Sequence, residues 1–240
     1  MTTREEMLDC VRKALGRPNT GSAVTPLPPP DLKGVMPPLA PQDYQSKFEA
    51  EWAKVAGVAY RVANMDELKT VLQEILARVE THAVTLSGNP LLAELGIARL
   101  LAADNQVITS WGDGKRGAGP DSLSEFNKAS FAAGAGITGV DYVLAESGTL
   151  VLSSATERVQ VASLAPPVHI ALYRRTQLVG SLEEVLAKLP ISSTLDLSTA
   201  GRSVVFVTGT SRTADIEQIL IRGVHGPREA CAILVEDSCR

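Results

Sequence analysis

From Gln42 onward the spacing of apolar residues switches repeatedly between two periods, and that alternation constrains the fold more than any single residue. Val58-Ala-Tyr-Arg-Val62 alternates like a strand. Leu68, Val71, Leu72, Ile75, Leu76 and Val79 then recur at helical spacing behind an Asn64/Glu67 capping pair. Ala83–Leu86 and Val107–Trp111 read as short strands, and Gly88-Asn-Pro90 leads into a helix near 90–96. Helices are also expected near 43–56 and 123–134. In the second half, strands are expected at 142–145, 149–153, 167–173, 203–207 and 230–235. Helices are expected there at 182–189, behind Ser181 and Glu184, and at 213–222, ending at Gly223. Strands that alternate with helices imply a largely parallel sheet covered on both faces. The two runs abutting at Gly148 predict a bend or a hairpin, with some antiparallel pairing.

Ahead of this region, residues 3–15 read as a short amphipathic helix stopped by Gly16 and Pro18. Residues 18–41 hold eight of the fourteen prolines, and their apolar members favour a strap docked on the surface. The expected organisation is therefore a helix at 1–17, a strap or linker at 18–41, one α/β domain at 42–236 and a tail at 237–240. A chain of 240 residues suffices for one such core. With 4% aromatic residues and a net charge of −4, it lacks both a stacking platform and a basic footprint for nucleic acid. A local basic pocket for a small anion remains compatible with that charge. No apolar run approaches the ~18 residues of a membrane span. The acids in Met1-Thr-Thr-Arg-Glu-Glu-Met do not suit a secretory signal, so a cytoplasmic location is expected. Three cysteines without a C-x-x-C pair cannot by themselves ligate a four-cysteine iron–sulfur cluster.

Two stretches carry the polar chemistry. In Thr208–Glu217, Gly209-Thr-Ser-Arg-Thr213 is expected to run from a strand's carboxyl end into a helix. Free N–H groups there favour an anion by ~0.3–1 kcal/mol, and Arg212 could grip a carboxylate or phosphate. Asp215 in the first turn opposes that, and a simple helix cap with an Asp215–Arg212 pair explains the same residues. In Gly136–Leu150, Glu146 follows the apolar run Tyr142–Ala145. A carboxylate at the end of a buried strand is the setting of a general base or nucleophile. A structural glutamate bonded to backbone N–H groups or to a nearby arginine fits equally. His82, His169 and His225 show no zinc spacing, and the intervening helix would place His225 at the opposite edge of the sheet from Ser211. Residues 112–122, with Lys115 and Arg116, read as a loop. P-loop, nucleophile-elbow and dinucleotide fingerprints are missing.

Gly136-Ile-Thr-Gly139, Ala145-Glu-Ser-Gly-Thr149, Ala165-Pro-Pro-Val-His-Ile170, Ser211-Arg-Thr-Ala-Asp-Ile-Glu217 and Gly223-Val-His-Gly-Pro227, in that order, resemble the LUD (lactate utilization) domain family over about 43–236. Gly209-Thr-Ser211 stands where the family usually has Gly-Pro-Ser, and Glu146-Ser-Gly148 where it often has Glu-Thr-Gly. The resemblance implies a Rossmann-like three-layer α/β/α sandwich of the NagB/RpiA/CoA-transferase type. It also implies a non-redox part in oxidising L-lactate to pyruvate beside iron–sulfur partner proteins, with no cofactor in this chain. By fold analogy, Glu146 is a candidate catalytic acid. The expected pocket is lined by Gly88, Asn89, Glu146, Ser211 and Arg212, with Thr138, Gly148, Thr149 and Thr213 as further anion-binding groups and no metal. A free-standing enzyme on a small carboxylate, phosphate or CoA ester, or a metabolite sensor, are the alternative readings.

Overall fold

The computed structural model describes residues 3–15, 39–111, 120–189, 203–214 and 220–237. The chain divides into two units, Met1–Pro37 and Pro38–Arg240. In the first, α1 (Arg4–Ala14) begins at a capping box: the Glu6 N–H donates to Thr3 Oγ1 and the Thr3 N–H to the Glu6 carboxylate. Apart from residues 39–41, the expected strap lies outside the described residues, as do the expected loop residues 112–119.

The second unit runs α2 (Tyr44–Lys54), β1 (Val58–Val62), α3 (Met65–Arg78), β2 (Ala83–Leu86), α4 (Pro90–Glu94), α5 (Ile97–Ala102), β3 (Val107–Ser110) and α6 (Pro120–Ala132). It continues with β4 (Ala135–Thr138), β5 (Tyr142–Leu144), β6 (Thr149–Ser153), α7 (Ser154–Glu157), α8 (Val161–Leu164), β7 (Val168–Tyr173), β8 (Leu178–Val179) and α9 (Leu182–Lys188). It closes with β9 (Val204–Val207), β10 (Arg212–Ala214), β11 (Leu220–Arg222) and β12 (Glu229–Val235). Six strands form a parallel sheet in the order β1-β12-β7-β4-β2-β3. A second, mixed sheet has the order β8-β5-β6-β9, and β10 and β11 form an antiparallel pair.

Side-chain alternation divides the parallel sheet between two cores. Val84, Leu86, Ile137, Ile170, Leu172 and Ile233 face one way, beneath the apolar stripes of α3, α4 and α5. Ala171, Tyr173, Ala232 and Leu234 face the other way, against Phe48 and Trp52 of α2 and Leu150 and Leu152 of β6. Phe48 and Trp52 are fully buried, which contributes about 1.5–3 kcal/mol for a side chain of that size. The second face is thus shared between helices and another sheet, because β5 and β6 form a hairpin, one of the two arrangements, bend or hairpin, expected at Gly148.

One expected element is corrected. Where a helix is expected at 213–222, the described residues are strand at both ends: Arg212–Ala214 pairs antiparallel with Leu220–Arg222. Residues 215–219 lie outside the described residues.

Candidate functional site at the carboxyl edge of the sheet

β2 and β4 are neighbours, yet the chain leaves β2 towards β3 on one side and β4 towards β7 on the other. Such a switch point opens a crevice at the carboxyl ends of the strands, where open α/β sheets bind ligands. Ser87-Gly-Asn89 follows β2 into this crevice and Gly139 follows β4. The Ser87 N–H extends the ladder to the Ile137 carbonyl at 3.0 Å. Asn89 caps α4, its Oδ1 accepting the Leu91 N–H at 3.0 Å, and its side-chain amide donates to the carboxylate of Glu157. Ser87 Oγ and the Gly139 N–H donate to the same carboxylate. A Cβ on residue 139 would run into the Asn89 amide, so glycine is required at that approach.

Glu157 is 0% exposed, and three donors on one buried carboxyl group show that it ties the ends of β2 and β4 to α7. Burial pushes its pKa up to about 7, with the charge of Asp141 adding to the rise and the Ser87 and Asn89 bonds opposing it. Asp141 is itself held by the Ser153 N–H and the Thr156 hydroxyl.

The next residue is strained. Arg158 has φ 62° and ψ −49°, and the Val159 N–H donates to the Glu157 carbonyl at 2.7 Å. This is a γ-turn of the rare, left-handed kind, which costs on the order of 1–3 kcal/mol for a residue with a side chain. The Gly88 N–H donates to the same carbonyl at 2.9 Å. The Arg158 stem and the Trp111 indole close over Gly88, at 2.6 Å and 3.1 Å from where a Cβ would stand. Trp111 is braced edge-on by Phe126, with ring centroids 5.4 Å apart. Arg158 is exposed and, among the described residues, forms no salt bridge.

Of the residues expected to line one pocket, Gly88, Asn89 and Thr138 come together at this crevice and the others do not. Thr138 Oγ1 lies 2.8 Å from Nε2 of buried His169. Burial lowers the His169 pKa to about 4, and its Nδ1 has no partner among the described residues. Glu146, Gly148 and Thr149 sit at the closed end of the β5–β6 hairpin, whereas Asp141 and Ser153 at its open end adjoin the crevice. Glu146 Oε1 accepts the Leu182 N–H at 2.7 Å at the start of α9, and Gly148 packs on the backbone of Trp52 and Glu51. Thr149 Oγ1 lies 2.8 Å from both Ser147 Oγ and Thr208 Oγ1.

The segment through Ser211 and Arg212 lies at the opposite, amino-terminal edge. Gly209 packs on Val55, just before β1, and the Ser211 N–H donates to the Pro227 carbonyl at 2.9 Å, just before β12. Strands of four to seven residues at ~3.3 Å each separate the two edges by roughly 13–23 Å. The anion site expected at a helix start through Ser211, Arg212 and Thr213 therefore has no helix start among the described residues: Arg212 and Thr213 belong to β10. The turn holding His225 is also not remote from Ser211. The Gly223 N–H donates to the Ser211 carbonyl at 3.0 Å, and a Cβ on Gly226 would stand 3.2 Å from Ser211 Cβ.

The LUD domain family profile matches residues 46–235, which include the whole crevice. The chain belongs to the LUD domain family. It is 30% identical to "Lactate utilization protein C" of Shouchella clausii over 98% of each chain. The protein of the same name from Halalkalibacterium halodurans is 30% identical over 72% of this chain and 71% of its own. That of Bacillus subtilis is 31% identical over 71% and 69%. A crystal structure of a DUF162 family protein from Deinococcus radiodurans shares the fold, with a TM-score of 0.58 and 21% identity over 82% of this chain and 99% of that one.

Within this LUD domain, of the motifs that carry the resemblance, Gly136–Gly139 reaches the crevice by way of β4, and Ala165–Ile170 adjoins it through His169 behind Thr138. Glu157 and Arg158 lie in none of them. A sequence signal for both existed: they are the only Asp, Glu, Lys or Arg between Ser147 and Tyr173, an isolated acid–base pair in an apolar stretch. Among the described residues of the LUD domain, no three His, Cys, Asp or Glu side chains converge as a metal site, and no helix is long and apolar enough to cross a membrane.

Proposed function

We propose that this chain is a cytoplasmic component of a system that oxidises L-lactate to pyruvate, working beside iron–sulfur partner proteins that carry the electrons. The observation that carries this reading is the match to a lactate utilization protein C over 98% of both chains. Cysteine usage supports the division of labour, since three cysteines fall short of four thiolate ligands and Cys231 is sealed in the core of the parallel sheet. A fold of the NagB/RpiA/CoA-transferase type belongs to the same reading, supported by the parallel sheet covered on both faces. The working site in this proposal is the crevice between β2 and β4, where a strained residue, a buried carboxyl group and a bare glycine meet at the switch point.

The test is lactate-dependent reduction of an electron acceptor in extracts of a strain lacking this gene. Loss of that activity, its return with the wild-type chain, and co-purification of proteins with iron–sulfur absorbance are the expected results. Unchanged acceptor reduction in the deletion strain overturns the proposal.

A further inference from the structure

We infer that Arg158 is the anion-binding group of the crevice and that its ligand is a small monocarboxylate of the 2-hydroxy or 2-oxo acid class. The inference rests on the proposed lactate function for the choice of carboxylate; the site itself rests on geometry. An L-residue in a left-handed γ-turn is held there against its own preference, and such outliers concentrate at ligand sites. Here the turn is fixed from both sides. The Glu157 carbonyl accepts the Val159 and Gly88 N–H groups, and the Glu157 carboxyl group is anchored by Ser87 and Asn89. The consequence is that residue 158 is turned out of the fold at the mouth of the crevice, with its stem across Gly88. Its charge is not consumed by a salt bridge among the described residues. A guanidinium presents paired N–H donors that match a carboxylate.

The Trp111 side chain gives the crevice an apolar wall. Half-buried and held edge-on by Phe126, it stands next to the Arg158 stem, both side chains packing directly on Gly88. An apolar wall and one cation suit a short acid better than a highly charged ligand. Asp141, the other carboxylate nearby, is held by Ser153 and Thr156, so it does not compete for the guanidinium through a bond of its own.

The experiment measures binding of sodium L-lactate, sodium pyruvate and inorganic phosphate to the purified full chain, by calorimetry and by indole fluorescence. Trp111 is one of two tryptophans, and Trp52 is fully buried in the core, so a ligand at the crevice reports through Trp111. Lactate or pyruvate is expected to bind and to perturb the fluorescence. Arg158→Gln is expected to weaken binding about 10- to 100-fold, the loss of a charge-assisted pair. Arg158→Gly separates function from structure: relief of strain is expected to raise Tm by about 2–6 °C while binding is lost. Absence of binding to the wild-type chain overturns the inference, as does undiminished binding by Arg158→Gln. A Tm lowered by Arg158→Gly assigns Arg158 to structure and overturns it too. Phosphate bound as tightly as pyruvate overturns the carboxylate assignment. These outcomes are independent of the deletion strain: failed binding with intact complementation leaves the lactate role standing, and the reverse result removes that role alone.

Discussion

The side-chain amide of Asn89 donates to the carboxylate of Glu157, joining residues 68 positions apart in the chain. Asn89 also caps α4, so one residue fixes a helix start, the end of β2 and the turn that projects Arg158. Removing the acceptor should disturb all three. Glu157→Ala leaves buried donors on Ser87, Asn89 and Gly139 without a partner, and each such group costs about 1–3 kcal/mol. The expected outcome is a large fall in the urea midpoint, with Asn89→Ala falling less because it leaves Ser87 and Gly139 still bonded to Glu157. Equal midpoints for wild type and Glu157→Ala would show that this network does not hold the strand ends.

Glu146 presents the contrasting case. Its carboxylate accepts the first N–H of α9, in the manner of a helix cap, at the far end of the hairpin from the crevice. Glu146→Ala is expected to lower stability by about 0.5–2 kcal/mol, the usual cost of a lost cap. Lactate-dependent activity should survive in extracts adjusted to equal amounts of folded chain. Loss of activity at equal abundance would return Glu146 to the catalytic role suggested by fold analogy.

Much of the fold was legible because apolar period and caps agree. Asn64 and Ser181 each accept an N–H from the glutamate three residues on, as their spacing implies. The parallel sheet was less legible at its centre. β4 is Ala-Gly-Ile-Thr, buried along its whole length, with no alternation and two small residues where the Ala162 carbonyl presses on Gly136. The helix expected at 213–222 rests on short apolar runs that fit helix and strand alike, and the tertiary pairing of Thr213 with Ile221 decides for strand at its described ends. At the site, Gly88 and Asn89 were legible from turn chemistry before a proline. Glu157 was not, since a four-residue helix has no period to read and its meaning comes from partners 68 and 70 positions away.

Gly148 has φ 62° and rests on the backbone of α2, which gives it a structural reason to be glycine. Gly148→Ala is strained by its backbone conformation and blocked by Glu51 and Trp52. A loss on the order of 1–3 kcal/mol is expected, read as a lower Tm, with affinity for pyruvate unchanged in the folded fraction. Retained Tm with lost affinity would instead make Gly148 part of the ligand site.

The two buried titrating groups near the crevice act in opposite directions. Glu157 has its pKa raised from about 4.5 to about 7 by burial, so the folded chain holds a proton that the unfolded chain has released. Its contribution is fully present below about 4.5 and is lost as pH rises through about 7, on the order of 3 kcal/mol. His169 has its pKa lowered from 6.5 to about 4 by burial, so its contribution is present above 6.5 and is lost as pH falls through about 4. Across the shared window, from about 4.5 to 6.5, the two slopes cancel and wild-type stability should vary little on their account. Single variants expose each slope. His169→Gln should lose stability as pH rises from about 5 to 7, and Glu157→Gln should lose it as pH falls from about 6.5 to 4.5. Urea midpoints measured at half-unit intervals check both signs, and parallel pH profiles for the two variants would show that neither group titrates as its burial requires.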